Sequence, residues 1–181
     1  MIVLVDGPSG SGKTTLATRL GILLRLPVIH MDDFYPGWSG LAAGSDIIAA
    51  SVLKTTDPGY YRWDWANDRA GEWVPVPPGA KIIEGAGAVT AETLRAASIS
   101  DHQVAAIMLT GEATTRYRRA MRRDPYYEPY WEMWAEQEKR HYAVQSQGLG
   151  DLVPTLWIDT TGLDAGQVVR RAYDFITYYV E

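Results

Sequence analysis

The chain has 181 residues, 46% of them hydrophobic and 22% charged, with a net charge of −5; that is enough for one domain with its own core, and gives no electrostatic case for general nucleic-acid binding. It contains no cysteine, which excludes a disulfide scaffold, a thiol nucleophile and a Cys-ligated zinc site, and His30, His102 and His141 show no metal-ligand spacing. No apolar run approaches the roughly 18 residues of a membrane span, and the opening run from Met1 to Val5 meets Asp6 too soon for a secretory signal; the expected partner is a small molecule rather than nucleic acid or membrane, and the expected location is the cytoplasm.

In chain order, apolar runs at residues 2–5, 28–31, 81–83, 104–109 and 155–158 alternate with helical patterns at 13–24, 46–53, 91–97, 112–123, 129–145 and 165–180. The runs lack a polar face, as strands buried on both sides of a parallel sheet do. Strands alternating with helices imply right-handed βαβ crossovers with helices on both faces. The expected fold is one three-layer α/β domain over residues 1–181, with a five-stranded parallel sheet and a small helical lid near 116–130. Segments 36–40, 57–59 and 75–79 read as Pro/Gly loops, the last leading into the strand at Lys81.

The first strand runs into Asp6-Gly7-Pro8-Ser9-Gly10-Ser11-Gly12-Lys13-Thr14-Thr15, and Gly7 to Thr14 fits G-x-x-x-x-G-K-[ST] at every fixed position, with a strand before and a helix after. Phosphate oxygens need several donors converging on one point. Small residues let successive backbone N–H groups turn inward, and the helix N-terminus adds free N–H groups and its dipole. Ser9, Gly10, Ser11, Gly12, Lys13, Thr14 and Thr15 are therefore the expected nucleotide cradle. Lys13 would reach the β- and γ-phosphates, and the Thr14 hydroxyl suits Mg²⁺, a cation that prefers oxygen. ATP with Mg²⁺ is the expected cofactor pair. A guanine-specific GTPase would need an Asn-Lys-x-Asp signature, which the sequence lacks.

The second strand ends in His30-Met31-Asp32-Asp33-Phe34-Tyr35. Ligands of open α/β sheets bind beyond the carboxyl ends of the strands, where a carboxylate can accept or orient the proton of an attacking hydroxyl; the plainer alternative is an aspartate capping a turn. Further on come Lys81-Ile82-Ile83-Glu84-Gly85 and the basic stretch Thr115-Arg116-Tyr117-Arg118-Arg119-Ala120-Met121-Arg122-Arg123-Asp124. With the phosphate loop, these three stretches resemble the uridine kinase/phosphoribulokinase-like family. The resemblance implies that Asp32 is the catalytic base, that Tyr35 lies near the substrate, that Glu84 lies near Mg²⁺, and that the arginine helix leads into a lid. It also implies transfer of the γ-phosphoryl group to a hydroxyl, a nucleoside of the uridine or cytidine kind being the first expectation. Where that family carries Asp-His-Pro-Asp-Ala for nucleoside recognition, this chain has Tyr60-Tyr61-Arg62-Trp63-Asp64-Trp65-Ala66. Asp64, with Asp33, remains a candidate for acceptor hydroxyls, and the missing histidine keeps a non-nucleoside acceptor open: a sugar acid, a vitamin precursor or an antibiotic. A nucleotide-dependent switch with no acceptor is the remaining reading.

Five of the chain's 17 Lys and Arg residues fall between Arg116 and Arg123. At about 100° per residue, Arg116, Arg119 and Arg123 share one helix face and Arg118 and Arg122 another. Like charges so placed repel unless an anion faces them, so Arg119 and Arg123 are expected on the transferring phosphoryl group; pairing with Asp124, Glu128, Glu132 and Glu136 is the alternative. Tyr130 and Trp134 form an i,i+4 ridge. The loop Asp159-Thr160-Thr161-Gly162 after the last strand is read either as a contact to the nucleotide or as a turn into the final helix.

Overall fold

The five apolar runs become the five parallel strands of one sheet in the computed structural model, which describes residues 1–99, 101–145 and 152–180. The strands are β1 (Ile2–Asp6), β2 (Val28–His30), β5 (Lys81–Glu84), β6 (Val104–Thr110) and β7 (Thr155–Asp159), in the order β2-β5-β1-β6-β7. Alternation within β1 shows why no polar face was visible. Ile2 and Leu4 point into one apolar cluster, with Leu41, Ile48, Leu94 and Trp134; Val3 and Val5 point into the other, with Leu16, Leu20, Val168 and Ile176. A strand covered on both faces is hydrophobic at every position.

One face carries α1 (Lys13–Leu24) and α6 (Ala165–Val180); the other carries α2 (Leu41–Ile47), α3 (Ala91–Ser98) and α5 (Trp131–Gln145). Between β6 and α5 runs α4 (Ala113–Arg123), followed by a tight helical turn over Pro125–Tyr130. The helix expected at 46–53 starts earlier, at Leu41, and ends in a wide turn over Ile48–Val52. Ser45 does not cap it: its hydroxyl donates to Gly87 O at 2.7 Å from inside the helix. Among the described residues no helix is long and apolar enough to cross a membrane.

The sequence reading missed an antiparallel hairpin, β3 (Gly59–Asp64) with β4 (Arg69–Pro75), irregular between Tyr61 and Trp63. Its signal was present: aromatic runs flank a tight connection in which Asp68 takes a left-handed φ of 48°. The cross-strand pair Tyr61–Trp73, with ring centres 5.1 Å apart, supports the register.

Asp6, fully buried, joins the sheet to the loops above it. Its Oδ1 accepts from Gly7 N (2.6 Å), Gly87 N (2.9 Å) and the Tyr142 hydroxyl (2.7 Å), and its Oδ2 from Val89 N (2.8 Å). Asp6→Ala leaves these donors buried without an acceptor, at about 1–3 kcal/mol each before relaxation. The expected loss is at least about 3 kcal/mol of unfolding free energy, read as a lower urea midpoint at unchanged slope; a loss under about 1 kcal/mol would refute the role.

Candidate active site

The register brings the carboxyl ends of the strands together, with His30 opposite Glu84 and Thr110 opposite Asp159. Above them opens a cavity of about 440 Å³, lined along one side by residues 9–16 and on the other by Asp32, Tyr35, Glu84, Arg119, Arg123, Trp134 and Thr160. All seven expected cradle residues, Ser9 to Thr15, thus line the same cavity as the strand-end carboxylates.

The loop before α1 is shaped by its glycines. Gly7, Gly10 and Gly12 have φ of 145°, 76° and 99°, values that side chains other than glycine's rarely tolerate. A Cβ on Gly7 would stand 2.3 Å from the Leu109 carbonyl oxygen, and one on Gly10 2.1 Å from that of Arg116. Helix α3 satisfies its first turn with a Thr90–Thr93 capping box, whereas α1 starts at Gly12 with no side-chain cap. Its first turn, with no side-chain cap, borders the cavity, the arrangement by which a helix start can take an anion. Lys13 Nζ donates to Pro8 O at 3.2 Å, and the buried Ser11 hydroxyl has no partner.

Across the cavity, Asp32 sits in the short turn Met31–Asp33 that follows β2. Water reaches the residue, yet the cavity walls crowd its carboxylate. This desolvation raises its pKa above the ordinary value, and the charge of Glu84 adds to the rise; Lys13, Arg123 and His30 pull the other way. Glu84 is buried and its Oε1 lies 2.6 Å from His30 Nδ1. That hydrogen bond raises the imidazole's pKa against its partial burial. Tyr35 is buried in the cavity floor, its hydroxyl donating to Ala86 O at 2.8 Å, so it shapes the floor and has no free proton to offer.

Two expected acceptor residues stand elsewhere. Asp33 and Asp64 do not line the cavity. The Asp33 carboxylate accepts from the Tyr60 hydroxyl at 3.1 Å, and Asp64 closes the hairpin turn by accepting from Asn67 Nδ2 at 2.7 Å. The hairpin instead brings in Trp65, whose indole N–H donates to the Asp32 carbonyl at 3.1 Å. The aromatic residues pack on one another: Trp38 and Tyr130 lie face to face at 3.8 Å and 2°, with Tyr127 and Trp134 around them.

The three same-face arginines of α4 all point inward, to different ends. Arg119 donates to Thr160 Oγ1 (2.9 Å) and O (2.7 Å), while the Thr160 hydroxyl lies 3.1 Å from Ser11 O; the loop after β7 is thereby tied to the cradle. Arg123 lines the cavity and acts on Asp32 through its charge. Arg116 donates to Ser9 O at 2.9 Å and approaches Glu138 Oε2 at 3.9 Å. Three of the four acids expected to neutralise this face are engaged elsewhere: Glu136 with Arg140, Glu128 with the Tyr117 hydroxyl, Asp124 with Tyr126 N. The sequence reading missed Glu138, which is 2% exposed. Its signal was a charge on the Trp131, Trp134, His141 stripe of α5, where an apolar residue is the norm.

The donors present fit a magnesium nucleotide. Thr14 and Glu84 offer oxygen alone, the orphaned Ser11 hydroxyl lies within the cradle, and among the described residues no three His, Asp or Glu side chains gather into a protein-only metal cage.

No protein-family model matches the sequence, and no curated protein does. Solved structures share the fold. A gluconokinase from Sinorhizobium meliloti superposes with a TM-score of 0.62 at 15% identity, over 98% of this chain and 92% of that one. A shikimate kinase from Acinetobacter baumannii, in complex with shikimate, gives 0.59 at 14% over 98% and 93%. A protein described as a possible uridine kinase from Bacillus stearothermophilus gives 0.52 at 16% over 86% and 88%. These likenesses show an α/β fold with a five-stranded parallel sheet flanked by helices.

Because Asp32 binds its proton more tightly folded than unfolded, its contribution to stability is present below the unfolded pKa of about 3.9 and falls as pH climbs through the raised folded value. Asn at this position does not titrate. In chelator, Asp32→Asn is expected to melt above the wild type at pH 8, with the gap closing towards pH 4; a pH-independent gap, or a wild type that melts higher at pH 8, would contradict the assignment.

Proposed function

We propose that the chain is a phosphotransferase that moves the γ-phosphoryl group of ATP, taken with Mg²⁺, onto a hydroxyl of a small molecule. One observation carries this: an uncapped helix start with Lys13 shares a cavity with a strand-end carboxylate, Asp32, and with Arg119 and Arg123. A triphosphate needs the first half, and an alcohol acceptor needs the second. The names of the structural neighbours, gluconokinase and shikimate kinase among them, agree with it.

In this reading the amides of Gly10, Gly12, Lys13, Thr14 and Thr15, with the Lys13 ammonium, hold the phosphates. Thr14 and Glu84 would hold Mg²⁺, which when bound neutralises phosphate charge; His30 fixes the carboxylate of Glu84. The acceptor oxygen bonds to the γ-phosphorus as the bond from phosphorus to the β–γ bridging oxygen breaks, ADP leaves, and the acceptor proton passes to Asp32. The raised pKa of Asp32 makes it the better base for that step. Arg123 faces the charge that spreads over the transferring group, and Arg119, held by Thr160, lines the cavity beside it.

The resemblance of the Asp32, Glu84 and arginine-helix stretches favours a nucleoside acceptor. A second reading, a non-nucleoside alcohol such as a sugar acid, vitamin precursor or antibiotic, rests on Asp33 and Asp64 lying outside the cavity and on Trp38 and Tyr130 covering each other's faces. Radiolabelled ATP offered with nucleosides, sugar acids, vitamin precursors and antibiotics separates the two. Acceptor-independent hydrolysis that no hydroxyl compound stimulates would instead favour a nucleotide switch. With the best acceptor, Asp32→Asn is expected to lower kcat at least about a hundredfold, and wild-type turnover in that variant would end the base assignment. Lys13→Ala is expected to abolish turnover and MgATP binding in calorimetry; retained binding would sink the cradle.

A further inference from the structure

Ser9, at the tip of the phosphate loop, has each of its polar groups held from outside the loop. Its N–H and its hydroxyl both donate to Glu138 Oε1, at 2.7 and 2.8 Å, and the hydroxyl also meets the Tyr127 hydroxyl at 3.1 Å. Its carbonyl accepts from Arg116 at 2.9 Å. Arg116 is fixed in turn by Gly111 O at 3.1 Å and lies 5.7 Å from the centre of the Trp131 ring. Glu138 belongs to α5, which lies on a face of the sheet, and Arg116 to α4, so two helices grip the loop tip from outside it.

A loop with glycines at positive φ on both sides of this point is free to leave the cradle shape, and ordering it would be charged against nucleotide affinity. We infer that Glu138 is a positioning residue for the phosphate cradle: by reaching the Ser9 amide from α5 it pre-orders the loop tip before nucleotide arrives. Glu138 does not line the cavity and meets the nucleotide only through Ser9. A single bound oxygen receives both Ser9 donors, so reach matters more than charge, and a glutamine oxygen at the same distance serves as well.

The inference rests on the proposed nucleotide site, and the wild type is the control for that reading. Calorimetry with Mg²⁺ and a non-hydrolysable ATP analogue is run on wild type, Glu138→Asp, which keeps the charge and withdraws it by one methylene, and Glu138→Gln, which keeps the reach. The expected result is Kd weakened at least about tenfold in E138D and within about threefold of wild type in E138Q. A purely structural role would lower the melting temperature of E138D and leave its Kd in place, which would overturn the inference, as would equal weakening, or a tightening beyond that range, in E138Q. A wild type that binds no nucleotide defeats the underlying reading, and the inference with it. Should E138D not fold, hydrogen exchange at the Ser9 amide of the nucleotide-free wild type decides: protection supports the contact, and exchange at open-loop rates overturns it.

Discussion

The uncapped start of α1, reached through a loop that glycines hold at positive φ, is the constraint on which the site depends. Buried polar groups are costly without partners, and the Thr90–Thr93 box and the four donors on Asp6 show such groups paired. A helix start without a cap, preceded by three glycines at positive φ and followed by Lys13, is a local departure from that economy. An anion restores it. The glycines serve the departure directly, since side chains at Gly7 and Gly10 would meet the carbonyls of Leu109 and Arg116.

Opposite the cradle the charges are arranged so that no carboxylate is simply neutralised. Glu84 has His30 on one oxygen. Asp32 has no formal ion pair among the described residues and feels Lys13 and Arg123 at longer range. A tight pair with either cation would lower its basicity; crowding by the walls, with Glu84 nearby, raises it instead. The same placement leaves Arg123 available to a ligand, while Arg119 is occupied by Thr160.

The sheet and most helices were legible because burial on two faces writes itself as uninterrupted apolar runs, and because G-x-x-x-x-G-K-[ST] names its own surroundings. The β3–β4 hairpin was not read, since aromatic residues at 60–65 suit a cleft wall as well as a strand, and single-sequence patterning does not separate the two. Asp32 and Glu84 were legible from their strand ends, where topology fixes position. Asp33 and Asp64 were not, because one residue along a turn reverses the direction of a side chain, and the hairpin carries Asp64 into its own turn. Glu138 depended on a contact 129 residues distant in sequence, which no local pattern encodes.

Helix α4 illustrates the difference between a face and a function. Its periodicity puts Arg116, Arg119 and Arg123 in one row, and in the fold all three point inward. What each does is set by what the rest of the chain places before it: a loop carbonyl for Arg116, the β7 loop for Arg119, open cavity for Arg123. Two of the three therefore hold protein groups that themselves border the cavity. A row of arginines on a lid need not be a row of phosphate ligands. Here its first members fasten α4 to the loop and to the β7 turn, and the last lines the cavity, where its charge acts on Asp32. Such a division ties α4 to the loop after β1 and to the loop after β7 through side chains whose own contacts are already made.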